Sequence, residues 1–225
     1  GIGLVSGYKF WDIYFKLFLP IINTVRGQSS SVVVPKEYTT VACPKDSIQI
    51  VYFGQSNTAN WVEPKASLDY PDTLVQYDWR DGKCYHYREP LLGTDNKFGN
   101  IISYTAVKVA QKSGKSVMII PFSKSPSSVL SWAYGDMSYH HTFVLNALKK
   151  SSLSPQIFIW HQGESDSRRE GANEERFAKL PYFENLPYYE NLDPNRFGLG
   201  LSQEAYQEAL NKVYQKTINA FPETH

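Results

Sequence analysis

A chain of 225 residues, 42% apolar and 20% charged, can bury one substantial core and is neither disordered nor collagen-like. Its 23 Lys and Arg against 22 Asp and Glu leave a formal net charge of +1. No basic stripe is present, which argues against nucleic acid as the main partner, because phosphate binding needs clustered positive charge.

The chain opens Gly1-Ile2-Gly3-Leu4-Val5, without Met. From Tyr8 to Ile22 aromatic and aliphatic residues are interrupted only by Lys9, Asp12 and Lys16. A bilayer span needs about 20 predominantly apolar residues, so this stretch is a poor span by itself. Two readings stand: the end of a span or signal that associates residues 1–25 with a membrane, or an ordinary amphipathic helix packed on the domain. Gly27 to Ser31 (GQSSS) reads as a linker. Residues 1–30 are therefore set apart, and 31–225 are taken as one domain.

An extended run, Ser31 to Pro35, leads into a globular body that begins near Tyr38. Ser47 to Phe53 (SIQIVYF) reads as a buried central strand. It stops at Gly54, and the polar loop Gln55-Ser56-Asn57-Thr58-Ala59-Asn60 follows. Residues 63–98, rich in Pro, Asp, Gly and Tyr, read as a long loop with short strands. Asn100 to Lys112 has helical spacing, with Gly114 as its stop. Ser116 to Phe122 (SVMIIPF) is a second buried strand, followed by a Ser-rich loop, Ser123 to Ser128. His140 to Lys150 reads as helix and Gln156 to Trp160 (QIFIW) as a third buried strand. It runs straight into His161-Gln162-Gly163-Glu164-Ser165-Asp166. Residues 167–200 are polar and aromatic, with a short echo between 182–187 and 188–193 that is too brief for a repeat fold. Ser202 to Ala220 is an amphipathic helix capped by Ser202.

Strands alternating with helices predict an α/β fold on a parallel sheet. Ligands of such sheets bind in loops beyond the carboxyl ends of the strands, where GQSN and HQGESD lie. Cys43 and Cys84 match neither a zinc site nor a CxxC pair. They read as two buried thiols or as a disulfide; the apolar amino terminus favours the disulfide, and with it an oxidising, extracytoplasmic compartment.

Ser56 follows a strand on a loop that Gly54 lets turn sharply. It can be a nucleophile if a base takes its proton and N–H groups hold the oxyanion, or a cap for the next helix. Gln162 can donate a neutral hydrogen bond toward developing negative charge. Glu164 and Asp166 read as an acid/base pair or, as loop neighbours, as anchors for backbone N–H groups. Combined with His161 they also permit a metal site, the less favoured alternative.

Together, Gly54-Gln55-Ser56-Asn57 and Trp160-His161-Gln162-Gly163-Glu164-Ser165-Asp166 closely resemble the sialate O-acetylesterase and acetylxylan-esterase branch of the SGNH hydrolases. Similar too are Glu89-Pro90-Leu91-Leu92-Gly93 and the strand Val117 to Pro121 with its loop ending at Trp132, so that the resemblance covers roughly residues 46–166. It implies a flavodoxin-like three-layer α/β/α sandwich, no metal or other cofactor, and removal of acetyl groups from sugars through an acyl-enzyme. Ser56 would be the nucleophile, with its own N–H as one oxyanion donor and Gln162 as a side-chain donor. Asn57, Gly163, Glu164 and Asp166 would support the loops.

The chain departs from that family twice. Where a Gly-Gly pair supplies an oxyanion N–H, it has Ser125-Pro126; proline has no N–H, which leaves Ser125 as the donor and Gly99 as a weaker substitute. The family's base, a His three residues after an Asp near the carboxyl end, has no counterpart. His225 follows Pro222-Glu223-Thr224, and His86, His140 and His141 lie in the wrong part of the order. A fragment lacking its last strands is the favoured expectation, with little esterase activity in the 225 residues themselves. The competing expectation is a catalytically silent glycan-binding or assembly protein. The Tyr-rich stretch 182–198 reads as a surface loop or as the flank of a glycan cleft.

Overall fold

The computed structural model describes residues 34–167 and 201–224. Strands β1 (Thr40–Val41), β2 (Ser47–Gly54), β3 (Leu74–Asp78), β4 (Lys83–His86), β5 (Ser116–Ser123) and β6 (Ile157–His161) form a six-stranded sheet in the order β1-β4-β3-β5-β2-β6. The β3, β5, β2 and β6 strands are mutually parallel, while β1 and β4 add an antiparallel margin. The sheet is thus mostly parallel. Of the antiparallel margin, β4 falls within the stretch 63–98 read as a loop with short strands, whereas β1 lies ahead of it.

Alternation along β2 and β5 builds two cores, because successive side chains leave opposite faces of a strand. Ile50, Tyr52, Val117 and Ile119 pack with Ile102, Ala106, Val107 and Ala110 of helix α1 (Ile102–Ser113). On the other face, Val51, Phe53, Met118, Ile120 and Phe122 meet Trp132 of α2 (Val129–Tyr134), Val144, Leu145 and Leu148 of α3 (Asp136–Lys150) and Val213 of α4 (Gln203–Ala220). Helix, sheet and helices make the three expected layers.

Helix boundaries follow local chemistry. Gly114 ends α1 in a left-handed conformation, and the Ser202 hydroxyl accepts the Ala205 N–H at the start of α4. That bond satisfies a donor the first helical turn cannot pair internally. The α3 helix begins at Asp136, one turn before the spacing indicates, and α2 was not foreseen as a helix. One strand expectation needs correction: β6 is half-buried along its whole length instead of fully buried. It is the last strand of the sheet beyond β2, so among the described residues one side of it has no strand neighbour.

A disulfide joins Cys43 to Cys84, with Cα atoms 5.2 Å apart. It ties β1 to β4 beside the pair Val41 and Cys84. No described helix is long and apolar enough to cross a membrane. Residues 1–30, the stretch 182–198 and His225 lie outside the described residues.

Candidate active site

The two loops singled out above meet at the carboxyl ends of β2 and β6, which pair in parallel with Gly54 opposite His161. Gly54 has φ +144, a region that favours glycine. Gln55 follows, its N–H donating to the His161 carbonyl at 3.1 Å. A 3-10 turn then runs from Ser56 to Thr58, closed by Thr58 N–H to Gln55 O at 2.9 Å and Ala59 N–H to Ser56 O at 2.9 Å. Ser56 is half-buried, and no side-chain capping bond closes this turn. The cap position of this turn is Gln55, and Ser56 is its first residue, not its cap.

Buried polar side chains fasten the turn from below. Asn60 donates to Leu91 O at 2.8 Å and to the Thr94 hydroxyl, and its Oδ1 accepts Leu91 N–H at 2.9 Å. Asn100 donates to Thr58 O at 2.7 Å. The buried carboxylate of Glu89 accepts from Asn100 N at 2.8 Å, from Ala66 N at 2.7 Å and from the Ser103 hydroxyl. Buried polar groups require such partners, and here those partners hold the backbone that carries Ser56.

Gln162 stands at the centre of the second loop. Its amide nitrogen faces three acceptors: Gln55 Oε1 at 3.1 Å, Ser127 O at 2.9 Å and Asp166 Oδ2 at 2.6 Å. Its Oε1 is buried without a partner among the described residues. Gln55 Oε1 also accepts Ser165 N–H at 3.1 Å, so this one side chain joins the Ser56 loop to the loop after β6. Asp166 is buried and additionally accepts the Ser128 hydroxyl and, at 2.7 Å, the Val129 N–H. Burial pushes its carboxyl above the usual range, while the bonds from Ser128, Val129 and Gln162 pull it back. Gly163 O accepts from Asp166 N at 3.0 Å and Ser167 N at 2.9 Å. Tyr206 of α4 donates to Gln162 O at 2.8 Å and accepts the Trp160 indole N–H at 3.3 Å.

Glu164 links the loops on the solvent side. Its Oε1 accepts the Asn57 amide at 2.7 Å and lies 3.3 Å from His161 Nε2. His161 is thereby tied to the Ser56 turn. Asp166 points instead into the α2 start, and no cluster of three or more His, Cys, Asp or Glu among the described residues is arranged to hold a metal ion. His140 stacks on Phe122 at 5.2 Å, and His141 is buried among aromatic rings.

The other proposed donors are already paired. Ser125 N–H points at both oxygens of Asp95 at 3.1 Å, and Gly99 N–H donates to Val62 O at 2.8 Å. Lys124 N–H reaches Gly54 O at 3.1 Å, which places the Ser125 segment beside the strand end. The bridging roles of Gln55 and Tyr206 were not anticipated. Gln55 carried a signal, since it sits inside the GQSN motif; Tyr206 carried none beyond its place on an amphipathic helix.

The protein family described as carbohydrate esterase, sialic acid-specific acetylesterase, matches residues 33–184 of the chain. Among solved structures, a protein from Arabidopsis thaliana determined by X-ray diffraction at 1.6 Å resolution is similar, with a TM-score of 0.53 and 14% identity over 79% of this chain and 71% of its own. At that identity the likeness concerns the fold alone. Comparison with curated proteins finds no match.

Proposed function

Because the chain belongs to the carbohydrate esterase family of sialic acid-specific acetylesterases, we propose that it takes acetyl groups off carbohydrate, or transfers them, through an acyl-enzyme on Ser56. The Ser56 oxygen attacks the acetyl carbonyl carbon, the resulting oxyanion is held by N–H groups, and the sugar oxygen leaves with a proton. Water, or a second sugar hydroxyl, then attacks the acetyl-serine and frees Ser56. The observation that carries this reading is the bridge from Gln162 through Gln55, which brings the two loops together at one strand end. Gln162 serves as an oxyanion donor by exchanging one of its present acceptors for the substrate oxygen. The proton of Ser56 needs a base, and the described histidine connected to the turn is His161, through Glu164 and Asn57.

The substrate would be an acetylated carbohydrate, with no cofactor required. The Cys43–Cys84 disulfide supports an oxidising, extracytoplasmic setting. Hydrolysis of an aryl acetate tests the chemistry: Ser56→Ala should lose at least about a thousandfold in rate, as other serine hydrolases do without their nucleophile. Undiminished hydrolysis in that variant would remove Ser56 from the mechanism.

A second reading is favoured by one observation. Ser125 N–H is committed to Asp95 and Gln162 to internal acceptors, as suits a glycan-binding protein that does not turn substrate over. Fluorophosphonate labelling separates the two. An activated Ser56 is modified rapidly, whereas one in a silent binding protein is modified no faster than an ordinary surface serine.

A further inference from the structure

An aromatic pair, Trp61 exposed and Phe98 half-buried, lies just beyond the Ser56 turn in the chain, Trp61 following directly on Asn60. Trp61 is 50% exposed, and its ring centroid lies 6.5 Å from that of Phe98, with the planes at 57°. Ile101, 38% exposed, follows close behind Phe98 in the chain. Elsewhere among the described tryptophans, Trp132 is fully buried, Trp79 donates to Gly93 O and Pro121 O, and Trp160 donates to Tyr206. Leaving a large indole in water is costly, and grouped exposed apolar residues mark binding surfaces.

The pair is held rigidly and by the same backbone that holds Ser56. Phe98 N–H donates to Asn60 O at 3.0 Å, and Val62 and Gly99 exchange bonds at 3.1 and 2.8 Å on either side of the rings. Asn60 is itself fixed in the core, and Asn100 bonds it and Thr58 O together. A ring platform anchored this way keeps its distance to the turn.

Building on the esterase reading, we infer that Trp61 and Phe98 form a carbohydrate subsite, on which a pyranose ring of the acetylated substrate stacks while its acetyl group reaches Ser56. Aromatic faces carry negative charge density that attracts the polarised C–H face of a sugar. Two rings match one or two sugar units and are far too small for a stable protein interface. Glu63, Lys65 and Lys97, close to the two rings in the chain, are exposed and can bond sugar hydroxyls.

The experiment has two arms. In the Ser56→Ala background, which does not turn substrate over, titration with an acetylated methyl xyloside should change the tryptophan emission, and the added change Trp61→Ala should abolish that response. In the parent protein, Trp61→Ala should cut kcat/KM for the acetylated xyloside about tenfold more than for an aryl acetate, mainly through KM, with Trp61→Tyr restoring most of the difference. An emission response that survives Trp61→Ala, or equal losses on both substrates, overturns the platform. If Ser56→Ala still hydrolyses aryl acetate, the nucleophile reading falls instead, and the emission titration still decides the subsite.

Discussion

The carbonyl oxygen of His161 lies 1.9 Å from the point at which any side chain on residue 54 would place its Cβ. Gly54 is therefore required twice, by its φ of +144 and by the close approach of β6. The obstacle is backbone, so no rotamer change relieves it. Gly54→Ala should cost more than about 3 kcal/mol, combining a strained backbone with an overpacked contact. Gly114→Ala is the control, since Gly114 has φ +63 and nothing within 4 Å of its Cβ position; about 1 kcal/mol is expected there. Urea denaturation of both variants checks this, and equal losses would mean the strand ends are not so close.

Gln162 has two amide hydrogens for three acceptors. The Asp166 carboxylate is the strongest of these, because a charged acceptor strengthens a hydrogen bond. Gln162→Glu would set a second carboxylate against Asp166 and remove the donor. On the proposed esterase reading, aryl acetate turnover should fall about a hundredfold or more, the usual effect of deleting an oxyanion donor. The pH dependence has a definite sign. Burial already raises the Asp166 pKa, and a second acid raises the pair further, so the folded state holds more protons than the unfolded one. The variant's stability deficit, read by urea denaturation, should thus grow as pH rises above the ordinary carboxylate range and shrink in acid. A deficit independent of pH would show that the two carboxyl groups do not face one another.

Much of this arrangement was legible from sequence because its strands are apolar on both faces. SIQIVYF and SVMIIPF became β2 and β5 within a residue of their expected ends. The β3 strand was harder: all five residues are buried, yet they include Gln76 and Asp78. Gln76 is satisfied by His86 O, Arg88 O and Leu92 N–H, and Asp78 by Arg80. Polar residues whose partners arrive from later turns cannot be told from loop residues by periodicity. The six residues of α2 are too few for a 3.6-residue pattern to show. At the site, both loops announced themselves as polar runs after apolar strands, whereas the Gln55 bridge joins residues 107 apart in the chain and exists only once the strands pair.

The Cys43–Cys84 disulfide spans 41 residues and secures β1, which pairs with β4 at only Thr40–Tyr85 and Val41–Cys84. Loop-closure entropy for that separation amounts to about 4 kcal/mol. Replacing both cysteines (Cys43→Ser with Cys84→Ala, the latter being buried) should lower unfolding stability by several kcal/mol on that account. Proteolysis near residue 40 should accelerate as the margin of the sheet loosens. Thiol titration of the denatured, unreduced parent should find no free thiol in this pair, and two reactive thiols would refute the bond.

His141 is 1% exposed and rests against Phe53, Phe122 and Trp132, with Nε2 3.3 Å from the Thr217 hydroxyl and Nδ1 without a partner among the described residues. Burial pushes its pKa down to about 3, with Lys216 and His140 contributing. Below its ordinary value of 6.5 the unfolded chain takes up a proton that the folded protein refuses. Stability is therefore full above that value and is lost as the pH falls toward 3. At 1.36 kcal/mol per pKa unit, the loss between pH 7 and pH 4.5 is on the order of 3 kcal/mol. His141→Phe keeps the ring packing, and Thr217 retains its bond to Val213 O at 3.1 Å, so stability at neutral pH should change by only about 1 kcal/mol. The raised pKa of Asp166 acts in the opposite direction, but it is common to both proteins and cancels in their difference. Urea denaturation at pH 7 and pH 4.5 should therefore show the parent losing more stability in acid than His141→Phe, and parallel losses would mean that His141 is not the group resisting protonation.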